Sequence, residues 1–189
     1  MRRLIAVASA TLLTSALAGC ARFGYSDRVL QRVPSPDGKV VAVCQEVPVF
    51  DGPEKDIRLE HPDGTVIRTL YYLGDASGCD EMIWSWDGET LAILTSHVAT
   101  VYLLDVKWAL EHRDVVERHW YSRQFTFSSE DTIKRGTQLR FVAPLELEFQ
   151  LCPYSIRETQ QNRGQIRCTQ PPRSQRLRIP SPLVSGRPS

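Results

Sequence analysis

Ser35-Pro36-Asp37-Gly38-Lys39-Val40-Val41-Ala42-Val43 and Trp84-Ser85-Trp86-Asp87-Gly88-Glu89-Thr90-Leu91-Ala92-Ile93 carry the same pattern, with their glycines 50 residues apart. In each, a polar turn ending in Asp-Gly runs straight into a short apolar stretch. Glycine adopts positive φ without a Cβ clash, and an aspartate carboxylate accepts hydrogen bonds from the turn backbone, so each Asp-Gly pair predicts a hairpin. A third pair, Asp63-Gly64, lies between them, 26 residues after Gly38 and 24 before Gly88. The runs Val40-Val41-Ala42-Val43 and Leu91-Ala92-Ile93-Leu94 are continuous rather than alternating, which predicts strands buried on both faces.

Outward from these turns the chain keeps reading as β structure. Leu145, Leu147, Phe149 and Leu151 alternate with Glu146, Glu148 and Gln150, so a period of two puts the apolar set on one face of a half-exposed strand. Phe125 and Phe127 repeat this on a smaller scale, and Val98 to Val106 is a further strand candidate. Lys107 to Arg118, with Ala109, Leu110 and Glu111, is the one segment expected to form a short helix.

The two motif copies resemble the W-S-P-D-G-x-x-L/I-A repeat in blades of the Tol-system type of β-propeller. The first has Pro34 in place of the Trp, and the second has Trp86 in place of the Pro. Asp56 to Glu60, the turn His61-Pro62-Asp63-Gly64 and Thr65 to Leu70 resemble the next hairpin of the same blade. The resemblance spans residues 33–106 and implies a structural role for Asp37, Gly38, Asp63, Gly64, Asp87 and Gly88. A closed propeller needs at least about four blades of roughly 40–50 residues, and the matching stretch supplies barely two. The expected fold is therefore mainly β: antiparallel sheets with propeller-blade-like hairpins, forming an incomplete propeller or an irregular sandwich.

The amino terminus sets the expected location. Arg2 and Arg3 precede an uncharged run from Leu4 to Ala18, which is short of the roughly 20 apolar residues that span a bilayer. Leu17-Ala18-Gly19-Cys20 resembles the lipobox of bacterial lipoproteins, which implies that Cys20 is thioether-linked to diacylglycerol, freed by a signal peptidase and N-acylated with a fatty acid such as palmitate. Several acyl chains make a permanent tether where one does not. Ala21 follows where a sorting Asp would retain such a protein in the inner membrane, so the resemblance implies the periplasmic face of the outer membrane, with the inner membrane or a Gram-positive surface as alternatives. The expected organisation is a signal peptide over 1–19, a tether over 20–32, a β domain over 33–168 and a Pro/Arg/Ser-rich tail over 169–189.

Composition agrees with an exported globular domain. With 42% hydrophobic and 24% charged residues, the chain is neither disordered nor collagen-like nor multispanning. Besides Cys20, four cysteines remain: Cys44, Cys79, Cys152 and Cys168. An even number in an exported chain predicts two disulfides; three connectivities are possible, and proximity favours Cys44–Cys79 and Cys152–Cys168. The formal charge of +1 hides a division: residues 20–152 hold 14 basic against 21 acidic side chains, and residues 153–189 hold seven arginines against Glu158 alone. No uniform basic field exists to bind nucleic acid, and none is expected as a partner. The basic end is expected to solvate itself or lie against the acidic body, the alternative being that it binds anionic envelope components such as lipid A phosphates through arginine forks.

Enzyme signatures are scarce. The chain has no G-x-S-x-G elbow, phosphate-binding glycine loop, H-E-x-x-H or dinucleotide fingerprint. No cofactor is expected, and no metal, because His61, His97, His112 and His119 show no ligand spacing with the cysteines. His112, Glu117 and His119, near Glu111 and Asp114, form the best acid/base cluster on paper; a solvated surface is the preferred reading of that run. Trp84 and Trp86 are expected to pack on or flank the core. Together these readings predict a non-catalytic envelope lipoprotein that scaffolds or binds another envelope protein. An envelope hydrolase or accessory enzyme, and a basic tail that binds anionic envelope components, are the alternatives.

Overall fold

The computed structural model describes residues 27–49, 52–72, 78–95, 98–114, 121–128, 134–155, 159, 167–181 and 183. The segment 1–19 expected to be a signal peptide, Cys20, His97, Glu117, His119 and Trp120 lie outside the described residues. Within them the chain forms three antiparallel sheets. Sheet A is a meander of β1 (Arg28–Pro34), β2 (Val41–Val49), β3 (Gly52–Glu60) and β4 (Val66–Tyr72). Sheet B repeats the meander with β5 (Glu81–Trp84), β6 (Thr90–Thr95), β7 (Thr100–Asp105) and β8 (Ser122–Thr126), with the single-turn helix α1 (Val106–Glu111) between the last two strands. Sheet C has three strands, β9 (Lys134–Ala143), β10 (Glu146–Pro153) and β11 (Arg173–Arg178), in the order β11-β10-β9.

The sheets stack face to face with B in the middle. Leu91 and Ile93 of β6, with Tyr102 and Leu104 of β7, meet Ala42, Cys44, Ile57, Leu59 and Leu70 of sheet A. The intervening residues Ala92, Leu94, Val101 and Leu103 point the other way, onto Leu139, Phe141, Leu147, Phe149 and Leu151 of sheet C. Both faces of β6 are therefore buried, which is why its apolar run is unbroken. Each such leucine removed from water is worth about 1.5–3 kcal/mol. Packing between B and C is close enough that a Cβ on Gly136 of β9 would stand 2.8 Å from Leu94 Cδ1.

The opening strands of the sheets, β1, β5 and β9, lie side by side. Side chains join them where no ladder does. Trp84 Nε1 donates to the Val33 carbonyl at 2.9 Å, and the Glu81 carboxylate accepts the Gln138 and Leu139 N–H groups at 2.6 and 2.5 Å. Those amides sit at a bulge in β9 where Gln138 has φ +60°, so Glu81 holds a strained backbone in place. The result is an open arc of three blade-like sheets.

Two disulfides staple the arc. Cys44–Cys79 ties β2 of sheet A to the segment leading into β5, and Cys152–Cys168 ties β10 to the segment leading into β11. Such bonds belong to proteins of oxidising compartments, extracellular or periplasmic. No helix among the described residues is long and apolar enough to cross a membrane.

Several boundaries differ from the sequence reading. Strand β1 begins at Arg28, inside the segment expected to be a tether. Strand β11 lies inside the expected tail, where Ile179 and Leu183 are buried in the core between B and C. The helix expected over 107–118 stops at Glu111: His112 donates a last bond to the Trp108 carbonyl but its own backbone, at φ −116° and ψ 61°, has left the helical region, and the buried residues of the helix are Val106, Trp108 and Ala109.

Candidate functional surface

The two copies of the opening motif build the same turn. Ser35 Oγ donates to Asp37 Oδ1 at 2.7 Å, Lys39 N–H donates to the same oxygen at 3.1 Å, and Val40 N–H donates to Ser35 Oγ at 3.1 Å. Fifty residues later the corresponding bonds are Ser85 to Asp87 at 2.6 Å, Glu89 to Asp87 at 3.0 Å and Thr90 to Ser85 at 2.9 Å. Gly38 and Gly88 sit at φ +70° and +74°, and Gly64 at +90°. In the middle turn Thr65 N–H donates to Asp63 Oδ1 at 2.8 Å.

These bonds favour the ionised aspartates. Those from Ser35 and Lys39 lower Asp37 to about 2, and the Thr65 amide lowers Asp63. Burial works against ionisation of Asp87, but bonds from Ser85 and the Glu89 amide outweigh it and the carboxyl is lowered. The carboxylates are engaged with their own turns.

Trp84 and Trp86 part company. Trp84 is in the core at 8% exposure, whereas Trp86 is 62% exposed. The expectation that both pack on or flank the core fails for Trp86, which is in the Asp87 turn, two residues beyond the end of β5. The Asp87 turn stands close to the Asp37 turn, since a Cβ on Gly88 would lie 3.5 Å from Pro36 Cδ, and Leu145, between β9 and β10, is 47% exposed.

His112 has a structural setting. Its ring stacks on Trp108 with centroids 4.2 Å apart, and its carbonyl accepts from Arg68 Nη1 at 2.9 Å. Arg68, on β4, also bonds the Ala109 carbonyl and lies over the Tyr121 ring at 5.1 Å, while the Tyr121 hydroxyl bonds the Leu70 carbonyl. Arg68 and Tyr121 thus join sheet A to the end of α1. Sequence reading passed over both, because an isolated Arg and Tyr carry no motif. No group of three metal-ligating side chains gathers among the described residues.

Each outer sheet ends the stack with a glutamate between two arginines. On sheet A, Glu60 is 1% exposed and meets Arg32 and Arg58, each at 2.6 Å. Arg32 and Arg58 flank Val43 in register, so their alkyl stems stand on either side of it. On sheet C, Glu148 bonds Arg140 of β9 and Arg176 of β11, the latter at 3.1 Å, and Arg176 reaches Glu146 at 3.2 Å. Arg140 first, then Arg176, hold the Glu148 carboxyl below its ordinary range. Arg176 of the basic end therefore lies against acidic side chains of the body.

Comparison with known proteins gives little. No family model matches the sequence, and no curated protein is similar to it. Among solved structures, Kluyveromyces lactis Hsv2 aligns at 21% identity over 80% of this chain, with a TM-score of 0.43. The chain spans 48% of the length of that protein.

Proposed function

We propose that this chain is a membrane-anchored cell-envelope lipoprotein, tethered through Cys20, whose stapled β arc acts as a non-catalytic scaffold for another envelope protein. One observation carries the scaffold reading. The acidic side chains Asp37, Asp87, Glu81, Glu60 and Glu148 are engaged in holding turns, a bulge and sheet faces, while the arc exposes Trp86 at its turn end and β11 along its edge. Large aromatics and unpaired strands are what protein interfaces use. The tether rests on the Leu17-Ala18-Gly19-Cys20 pattern, with the disulfides supporting export. The periplasmic face of the outer membrane is the location this reading favours.

Two measurements in intact cells test it. Cys20→Ser abolishes incorporation of alkyne-palmitate and releases the chain from the membrane fraction; retained label ends the lipoprotein reading. A photo-crosslinking residue at Trp86 yields a discrete protein adduct in the envelope. Absence of any protein adduct from Trp86 and from other exposed positions, among them Leu145 and Lys39, ends the scaffold reading.

A further inference from the structure

We propose that the open edge of β11 accepts an extended segment of alternating acidic and apolar residues as the fourth strand of sheet C. The inference deepens the scaffold reading and rests on it. Sheets A and B each carry four strands from their opening strand outward, whereas sheet C stops at β11, the third. Every residue of β11 except Leu177 is exposed, and its far side meets no described strand.

The backbone phase is fixed. Ile179 N–H donates to the Leu145 carbonyl at 2.8 Å, and the register continues without a shift through Leu177↔Leu147, Gln175↔Phe149 and Arg173↔Leu151. In an antiparallel pair alternate residues turn both backbone groups to the same neighbour. The N–H and C=O groups of Ser174, Arg176 and Arg178 therefore face outward. On that side the Gln175 side chain donates to the Arg176 carbonyl at 3.1 Å, in the place of an adjoining strand's amide.

The side chains select the occupant. Arg176 shares a face with Glu146 and Glu148, and Arg178 stands on that face without a carboxylate partner among the described residues. Leu177 points the other way and packs on the core between B and C. Residues directly across from these positions on a new strand would be acidic on the first face and apolar on the second. Strand β10 already shows the match, since Glu146-Leu147-Glu148-Phe149 presents that alternation to β11 from its inner side. A second copy of β11 is disfavoured, because the outward-facing Ser174, Arg176 and Arg178 would set arginine against arginine.

The test uses an acetylated, amidated peptide with the sequence of residues 145–151, Leu-Glu-Leu-Glu-Phe-Gln-Leu, titrated onto the oxidised, folded chain. Binding should slow deuterium exchange at the Ser174, Arg176 and Arg178 amides and weaken as salt rises. Ser174→Pro puts a ring where the new strand would bond while removing an N–H that bonds nothing in β10, and should abolish binding. Should that variant fold poorly, Arg178→Glu, which breaks no described ion pair, should weaken binding roughly tenfold, the loss expected for one charge-assisted pair. Absence of protection at those amides with millimolar peptide overturns the proposal. So does equal binding of a scrambled Glu-Glu-Leu-Leu-Phe-Gln-Leu peptide, which would reduce the effect to charge alone. Failure here with persisting crosslinks from Trp86 would leave the scaffold reading standing and remove only this edge.

Discussion

Removing the disulfides one at a time should produce two different losses. Cys44–Cys79 spans 35 residues and Cys152–Cys168 spans 16. On the chain-entropy relation these loops correspond to about 3.8 and about 3.1 kcal/mol at 25 °C. Together that is roughly 7 kcal/mol, comparable with the whole stability of an ordinary domain, about 5–15 kcal/mol. Position widens the gap, because Cys44 and Cys79 are both in the core between sheets A and B, whereas Cys168 is exposed beside the edge strand. Cys44→Ala/Cys79→Ala should therefore lower the urea midpoint of the cooperative transition more than Cys152→Ala/Cys168→Ala. The latter should accelerate deuterium exchange first in β11 and leave β6 and β7 protected. Full reduction by a phosphine should shift the equilibrium far toward the unfolded chain. Coincident urea midpoints for reduced and oxidised protein would refute the argument, as would a larger loss from the shorter loop.

The other expectations concern single side chains. Asp37 titrates near 2 when folded against an ordinary 3.8, so its ionised form stabilises the fold above about pH 4, and this is lost as pH falls from 3.8 toward 2. Stability curves of wild type and Asp37→Asn should accordingly differ at pH 6 and converge near pH 2. Gly136→Ala should cost about 1–3 kcal/mol by overpacking against Leu94, and Leu94→Val should recover part of that in a double-mutant cycle measured by chemical denaturation. Glu60→Gln, at a buried carboxylate held by two arginines, should cost about 1.5–3 kcal/mol, whereas Glu146→Gln on the surface should change stability by less than about 1 kcal/mol.

Local chemistry made part of this molecule legible. The Asp-Gly turns needed only neighbouring residues, because a carboxylate and a positive-φ glycine define the hairpin within six positions. The run Leu91 to Leu94 declared burial on both faces, and the alternation around Phe149 placed its apolar face correctly. Strand β11 was missed because Arg173 to Arg178 has almost no apolar content; it becomes a strand by pairing with β10 and matching Glu146 and Glu148. Trp86 was misjudged because β5 ends at Trp84 and the turn that follows carries Trp86 away from the core. His112 could be drawn into an acid/base cluster from spacing alone; among the described residues its contacts are Trp108 and Arg68.

By itself the sequence determined the β character, the hairpin positions and the supply of four cysteines besides Cys20. These depend on contacts a few residues long or on counting. Tertiary structure decided how many sheets stack, which one is sandwiched, which cysteines meet and where the sheet stops. Those outcomes depend on residues tens of positions apart coming together, as when Glu81 meets the β9 bulge or Arg176 meets Glu148, and such pairings leave no periodic trace in the chain.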